Sequence, residues 1–189
     1  MKRDSQATRR RILDEATVEF ARHGIAGARV DRIAASAGCN KAMIYAYFTS
    51  KDRLFDAVFD AAVVRNVTDV PIDAADLPEY AARLAEQYER YPDVGRLATW
   101  DRLERDGAGA RTATITAATA HKVEAIAGVQ RTGLVSDRLP AATLLELIYA
   151  IARTRFDSVA PGEGAPVPEH RRETVKETVK EAVARLVRP

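Results

Sequence analysis

The sequence is poor in the residues that build covalent or metal-held scaffolds. Cys39 is its only cysteine, so neither a disulfide framework nor a multi-cysteine metal site can form within one chain. The histidines, His23, His121 and His170, stand far apart, and none has the spacing of a metal-ligand pair. No glycine-rich phosphate loop, no G-x-S-x-G and no pairing of histidine with a helix-start cysteine occurs. These absences argue against an enzyme and give no place to a cofactor or metal. No apolar run approaches the length of a membrane span, and the start "MKRDSQATRRRILDEA" lacks the apolar centre of a signal peptide. A cytoplasmic chain with no membrane partner is therefore expected. Strand signals are scarce too: few alternating runs are bounded by turns.

Helical periodicity is present almost throughout. A first helix is expected over about 8–23, where Ile12, Leu13, Ala16, Phe20 and Ala21 recur at helical spacing and Gly24 supplies the stop. A second, about 30–37, carries Val30, Ile33, Ala34 and Ala37 and ends at Gly38. A third, about 41–47, has Asn40 as N-cap, and Ser50 caps a fourth with Leu54, Phe55, Val58, Phe59 and Ala62. Beyond the break "VPIDAADLP", helices are expected near 77–90, 94–105, 110–131, 141–159 and 169–187. Pro92, Gly107 with Gly109, Gly133 with Pro140, and "PGEGAPVP" supply the breaks. The fold class is all-α, with about nine helices.

The small net charge of +2 hides an uneven distribution. Residues 1–55 hold eleven Lys/Arg against six Asp/Glu, a balance of 11 − 6 = +5, which leaves −3 for the rest. A basic first third suits a nucleic-acid partner. Within it, "SAGCNKAMIYAYFTSKDRLF" places two short helices around a three-residue turn containing Gly38, the elements of a helix-turn-helix. Ala34 and Ala37 let the helices approach, while Cys39, Ile44 and Phe48 pack inward. Lys41, Ala42, Tyr45 and Ala46 are left outward, a face small enough to enter a major groove. Tyr45 and Tyr47 cannot both share the inner side with Ile44 and Phe48.

This stretch, with "RRRILDEATVEFARHGIAGARV" before it, resembles the DNA-binding region of tetracycline-repressor (TetR) family regulators. The resemblance rests on Ile33-Ala34, Ala37-Gly38, Tyr45 to Phe48, Lys51 and Leu54, and upstream on Ile12, Ala16, Phe20, Gly24 and Val30. It covers about residues 10–58. It implies a helix-turn-helix DNA-binding domain over 1–55 and a helical ligand-binding and dimerisation domain over 56–189. It further implies base contacts from Lys41, Ala42 and Met43, with Asn40 and Ala46 on the same helix. Tyr45 and Tyr47 would reach phosphates or the groove wall, and Lys51 would grip a phosphate. Lys2, Arg3, Arg9 and Arg10 form a basic arm of the kind the family carries. Two positions depart from the family pattern: Arg29 stands where a capping Thr or Ser is usual, and Met43 where a small or hydroxyl residue is common.

In the second region, "PAATLLELIYAIARTRFDSVA" is apolar on two sides, through Leu145, Ile148, Ala152 and Phe156 on one and Leu144, Leu147 and Ile151 on the other. Val175, Val179, Val183 and Leu186 give the last helix a comparable stripe. A homodimer through a four-helix interface is expected, built from Leu144, Ile148, Ile151, Val175, Val179, Val183 and Leu186. Tyr88, Tyr91, Trp100, His121, Tyr149 and Phe156 are the candidate lining of a small-molecule effector site. The expected function is a ligand-responsive transcriptional regulator that represses from a palindromic DNA operator. A helical interaction module, or a small enzyme without DNA binding, is the alternative.

Overall fold

The computed structural model describes residues 2–108, 112–154 and 169–189, with side chains from Ser5 onward in the first stretch and from Glu173 onward in the last. Among these residues the chain forms α1 (Lys2–Gly27), α2 (Val30–Ser36), α3 (Lys41–Phe48), α4 (Lys51–Asp69), α5 (Leu77–Arg90), α6 (Pro92–Arg105), α7 (Ala113–Arg131), α8 (Ala141–Arg153) and α9 (Glu169–Val187). No strand occurs among the described residues. They divide into two compact units, 1–64 with 93–116 and 65–92 with 117–189. The units are not the segments 1–55 and 56–189, because α6 returns to pack with the first four helices.

In the first unit, α1 to α4 present one apolar face each to a common core. Ile12, Ala16 and Phe20 come from α1, Val30 and Ile33 from α2, Ile44 and Phe48 from α3, and Leu54, Phe55 and Val58 from α4, all buried. Phe20 meets Phe55 edge-on at 5.3 Å between ring centroids, and Phe59 stacks on Phe55 at 5.8 Å. Each such ring, fully buried, favours the fold by about 2–3 kcal/mol.

The break at Gly24 falls inside α1 rather than beyond its end. At φ 71° and ψ 179° it takes a conformation open chiefly to glycine, and the helix resumes for one turn. The interruption strands a carbonyl and an N–H, and α6 satisfies both. Trp100 Nε1 donates to Ala21 O at 3.2 Å, and Glu104 Oε2 accepts from Ala26 N at 2.6 Å. A Cβ on Gly24 would run into the Glu104 carboxylate and the Trp100 ring. Farther along α6, Arg105 pairs with Asp56 of α4 at 2.9 Å and covers the Phe55 ring at 5.2 Å.

In the second unit, α5 is apolar over a wide arc through Leu77, Tyr80, Ala81, Leu84, Ala85 and Tyr88. An arc that broad needs two helices to cover it, and α8 and α9 do so. Asp76 caps α5 by accepting from Glu79 N at 3.1 Å, while Lys180 reaches Glu79 at 2.8 Å and Lys176 reaches Glu86 at 2.9 Å. This packing engages most of the expected interface residues within the chain itself. Leu144, Ile148, Val175, Val179 and Val183 are buried within their own chain, at 0–6 % exposure, so they are not available to a partner. Of the expected set, Ile151 and Leu186 stay half-buried; Leu147, outside that set but on the same helix as Ile151, is 37 % exposed.

Candidate nucleic-acid interface

The turn between α2 and α3 is fixed by backbone bonds. Ala37 N donates to Ile33 O at 2.9 Å and Cys39 N to Ala34 O at 3.0 Å, with Gly38 between them at φ 64°. That positive φ is the reason for glycine here. Asn40 then caps α3, its Oδ1 accepting from Met43 N at 2.8 Å. Ser50 Oγ accepts from Arg53 N at 3.1 Å and caps α4. Ile44 and Phe48 anchor α3 to the core. Lys41, Ala42, Met43, Tyr45 and Ala46 are exposed, Met43 at 39 % and Tyr45 at 38 %. Five residues of one eight-residue helix thus form a face that nothing in the unit covers.

Three of the expected DNA contacts are engaged within the protein. Tyr47 is half-buried, and its hydroxyl meets Ser5 Oγ at 3.0 Å and donates to Ser5 O at 3.3 Å, tying the first turn of α1 to α3. Lys51 is half-buried as well. Its ammonium donates to Ala26 O at 3.2 Å and Ala28 O at 3.3 Å, holding the loop before α2 and leaving one of its three protons unspent. Lys41 pairs with Asp31 at 3.2 Å, but both side chains are exposed, so the pair is worth under about 1 kcal/mol and yields readily to a phosphate. Arg9 lies over the Phe48 ring at 5.2 Å, and Arg10 and Arg29 are exposed nearby in sequence.

The missing cap at Arg29 is replaced from α1, a part of the site not foreseen from the sequence. Glu19 Oε1 accepts from Arg29 N at 2.8 Å, the service a Thr or Ser at position 29 would give. The same carboxylate takes a forked pair of bonds from Arg32, Nε at 2.9 Å and Nη2 at 2.5 Å, and Arg32 also reaches Gly27 O at 3.1 Å. Burial alone would raise the Glu19 carboxyl. The Arg32 hydrogen bond and the Arg29 N–H, with the Arg32 charge, outweigh it and hold the group below its usual range. A helix start with no capping side chain of its own was the available signal.

The candidate effector residues separate. Tyr88, Tyr91 and Tyr149 belong to the second unit, Tyr88 buried and the other two half-buried. Trp100 belongs to the first unit, where its indole is spent on Ala21 O, and His121 is exposed on α7. Phe156 lies outside the described residues. Two residues that the sequence reading passed over complete the cluster. Tyr80 is buried with its hydroxyl unpartnered, and Lys122 is 4 % exposed. The Lys122 ammonium donates to Tyr149 Oη at 3.1 Å and faces the Tyr80 and Tyr149 rings at 5.6 and 5.4 Å. Burial lowers its pKa to about 8 and raises that of Tyr149 to about 12. Asn66 Oδ1 is a further buried acceptor without a partner. Lys122 had a signal in the sequence, since Ile115, Ala118, Lys122 and Ile126 share the apolar spacing of one helix face.

Comparison with known proteins agrees with this geometry. Residues 12–58 match the family profile for bacterial regulatory proteins of the tetR family, and residues 76–185 match that for a tetracyclin repressor-like C-terminal domain. The HTH-type transcriptional repressor SCO4008 of Streptomyces coelicolor is 35% identical over 189 residues, covering 97% of this chain and 98% of its own. SCO4942 from the same species superposes with a TM-score of 0.78 at 36% identity, covering 96% of this chain and 99% of that one. AibR, in complex with isovaleryl coenzyme A and operator DNA, shares the fold at a TM-score of 0.68 and 15% identity, covering 93% of this chain and 97% of that one.

Proposed function

The chain belongs to the TetR family of DNA-binding transcriptional regulators, and from that premise we propose that it works as a homodimeric repressor of a palindromic operator, released by a small-molecule effector. The enzyme and bare interaction-module readings are not favoured: the family is one of DNA-binding regulators. The observation that carries the proposal is the uncovered face of α3. Lys41, Ala42, Met43, Tyr45 and Ala46 stand outward on a helix capped at one end by Asn40 and anchored by Ile44 and Phe48. Lys41 supplies charge to a base edge or phosphate, Tyr45 supplies a hydroxyl, and Met43 offers an apolar contact to a thymine methyl. The small alanines allow close approach. Residues 1–55 form the reading domain in this account, with Arg29, Arg9 and Arg10 adding charge toward the phosphates and Lys51 offering its third proton.

One such head gives few contacts. Two heads about 34–36 Å apart, one turn of the duplex, read an inverted repeat. Leu147 and Ile151, one turn apart on α8, with Leu186 on α9, are the apolar surface left for the second copy. Residues 56–189 carry this interface and the effector site, around Tyr88, Tyr91 and Tyr149. AibR, which shares the fold, is seen with operator DNA and a small molecule. An effector acts by preferring the form whose heads are wrongly spaced, and the coupling is no larger than that preference. Helix α4, which runs on from Ser50 to Asp69, is the lever.

Fluorescence anisotropy on genome-derived operator fragments tests the reading. Tyr45→Ala and Lys41→Ala each weaken DNA binding about tenfold or more, at unchanged dimer mass. Unaltered affinity in both variants would remove α3 from the interface.

A further inference from the structure

Among the described residues, Lys122 is a buried cation without a counter-ion. Its ammonium spends one proton on the Tyr149 hydroxyl, and two remain. No carboxylate lies within ion-pair distance among the described residues, and burial lowers its pKa to about 8. Beside it, the Tyr80 hydroxyl is buried, with the Tyr149 side chain close by but no partner at good hydrogen-bonding geometry. A lone buried ammonium and an idle buried hydroxyl both weaken a fold, since each has given up water for less than it lost. The packing of α5 with α8 and α9 is made by apolar side chains such as Leu84, Ile148 and Val183, all buried.

From this juxtaposition of the Lys122 ammonium with the Tyr80 and Tyr149 hydroxyls among tyrosine rings, we infer that the second unit holds a site for an aromatic monocarboxylate. One carboxylate oxygen takes the protons of Lys122, and the other accepts from Tyr80 Oη. A single negative charge balances the buried Lys122. Arg153, whose charge is felt at Tyr88 and Tyr149, is half-buried and keeps its access to water, so it requires no second negative charge. The rings of Tyr80, Tyr88 and Tyr149 favour a flat, polarisable body over an alkyl chain. The inference rests on the reading of this unit as the effector-receiving part, and it names the chemical class of that effector.

The probe is benzoate, with benzamide and benzylammonium as neutral and cationic controls of equal size. Binding is measured on the full chain without DNA, by calorimetry and by the shift in melting temperature. Benzoate binds in the millimolar range or tighter, as suits a fragment of that size, and the two controls do not. Lys122→Met lowers benzoate affinity at least about tenfold, the loss of one charge-assisted contact, whereas Lys122→Arg retains binding. Circular dichroism and cooperative melting establish that each variant is folded. Benzoate binding that is absent up to about 10 mM, matched by benzamide, or unchanged in a folded Lys122→Met protein overturns the inference. Operator affinity, followed separately without benzoate, shows whether the DNA-binding reading fails independently.

Discussion

Glu19, half-buried, and Lys122, buried, show how differently two charges drawn from water are treated in this chain. Glu19 meets an arginine fork and a backbone N–H, and its carboxyl titrates below the usual range even though burial works against it. Its contribution to stability is therefore complete above about pH 5 and is lost as pH falls through the lowered value, when the carboxyl becomes protonated. Glu19→Ala destabilises the protein by about 1–2 kcal/mol at pH 7, discounted for the exposure of Arg32. Urea unfolding checks this, and the difference from wild type shrinks toward pH 3. Lys122 has no such partners, and the cost of its charge is left standing. The sequence made one of these charges hard to find and the other accessible. Glu19 serves a helix ten residues away, which no local pattern reports. Lys122 sits on an apolar helical spacing midway between Ala118 and Ile126, where a lysine is conspicuous. The outward set on α3 was readable because Ile44 and Phe48 fix the inner side, and Tyr45 follows on the other. That Tyr47 and Lys51 would be held by Ser5, Ala26 and Ala28 was not, because those partners depend on tertiary placement.

Among the elements, α6 departs furthest from what its sequence implies. Its position after the break "VPIDAADLP" suggests a member of the second domain, yet Trp100 and Glu104 seal the interruption of α1 at Gly24. Helix positions themselves were largely legible: proline, glycine and the caps Asn40 and Ser50 set most boundaries within a few residues of those observed. However, α1 begins six residues before the expected Thr8, and the expected end of the eighth helix at 159 lies outside the described residues. What helical periodicity leaves open is which helix covers which, and so it marked Leu144, Ile148 and Val179 as apolar without telling core from interface. Two of the positive-φ glycines of the first unit, Gly38 and Gly24, separate backbone strain from packing. Gly38→Ala meets nothing within 4 Å and costs about 1 kcal/mol of strain alone. Gly24→Ala bears comparable strain and also drives a methyl into Glu104 and Trp100, so it costs about 2–3 kcal/mol. Denaturant titrations of the two variants side by side read the difference, and equal losses would mean that α6 does not grip α1.

At the level of the whole molecule, a basic first third, with a balance of 11 − 6 = +5 over residues 1–55, shares the chain with a helical second unit whose α8 leaves Leu147 exposed and Ile151 half-buried. In the proposed reading, charge brings the heads to the duplex, the α3 face reads it, and pairing through the leftover apolar surface sets the spacing. The most direct test is to select fragments of the source genome bound by the purified full-length protein, and to count chains per fragment by light scattering at moderate salt. The account predicts fragments that share an inverted repeat, with half-sites about one helical turn apart and two chains, or a multiple of two, on each. Fragments with no shared symmetry, or a single chain per bound site, would contradict it.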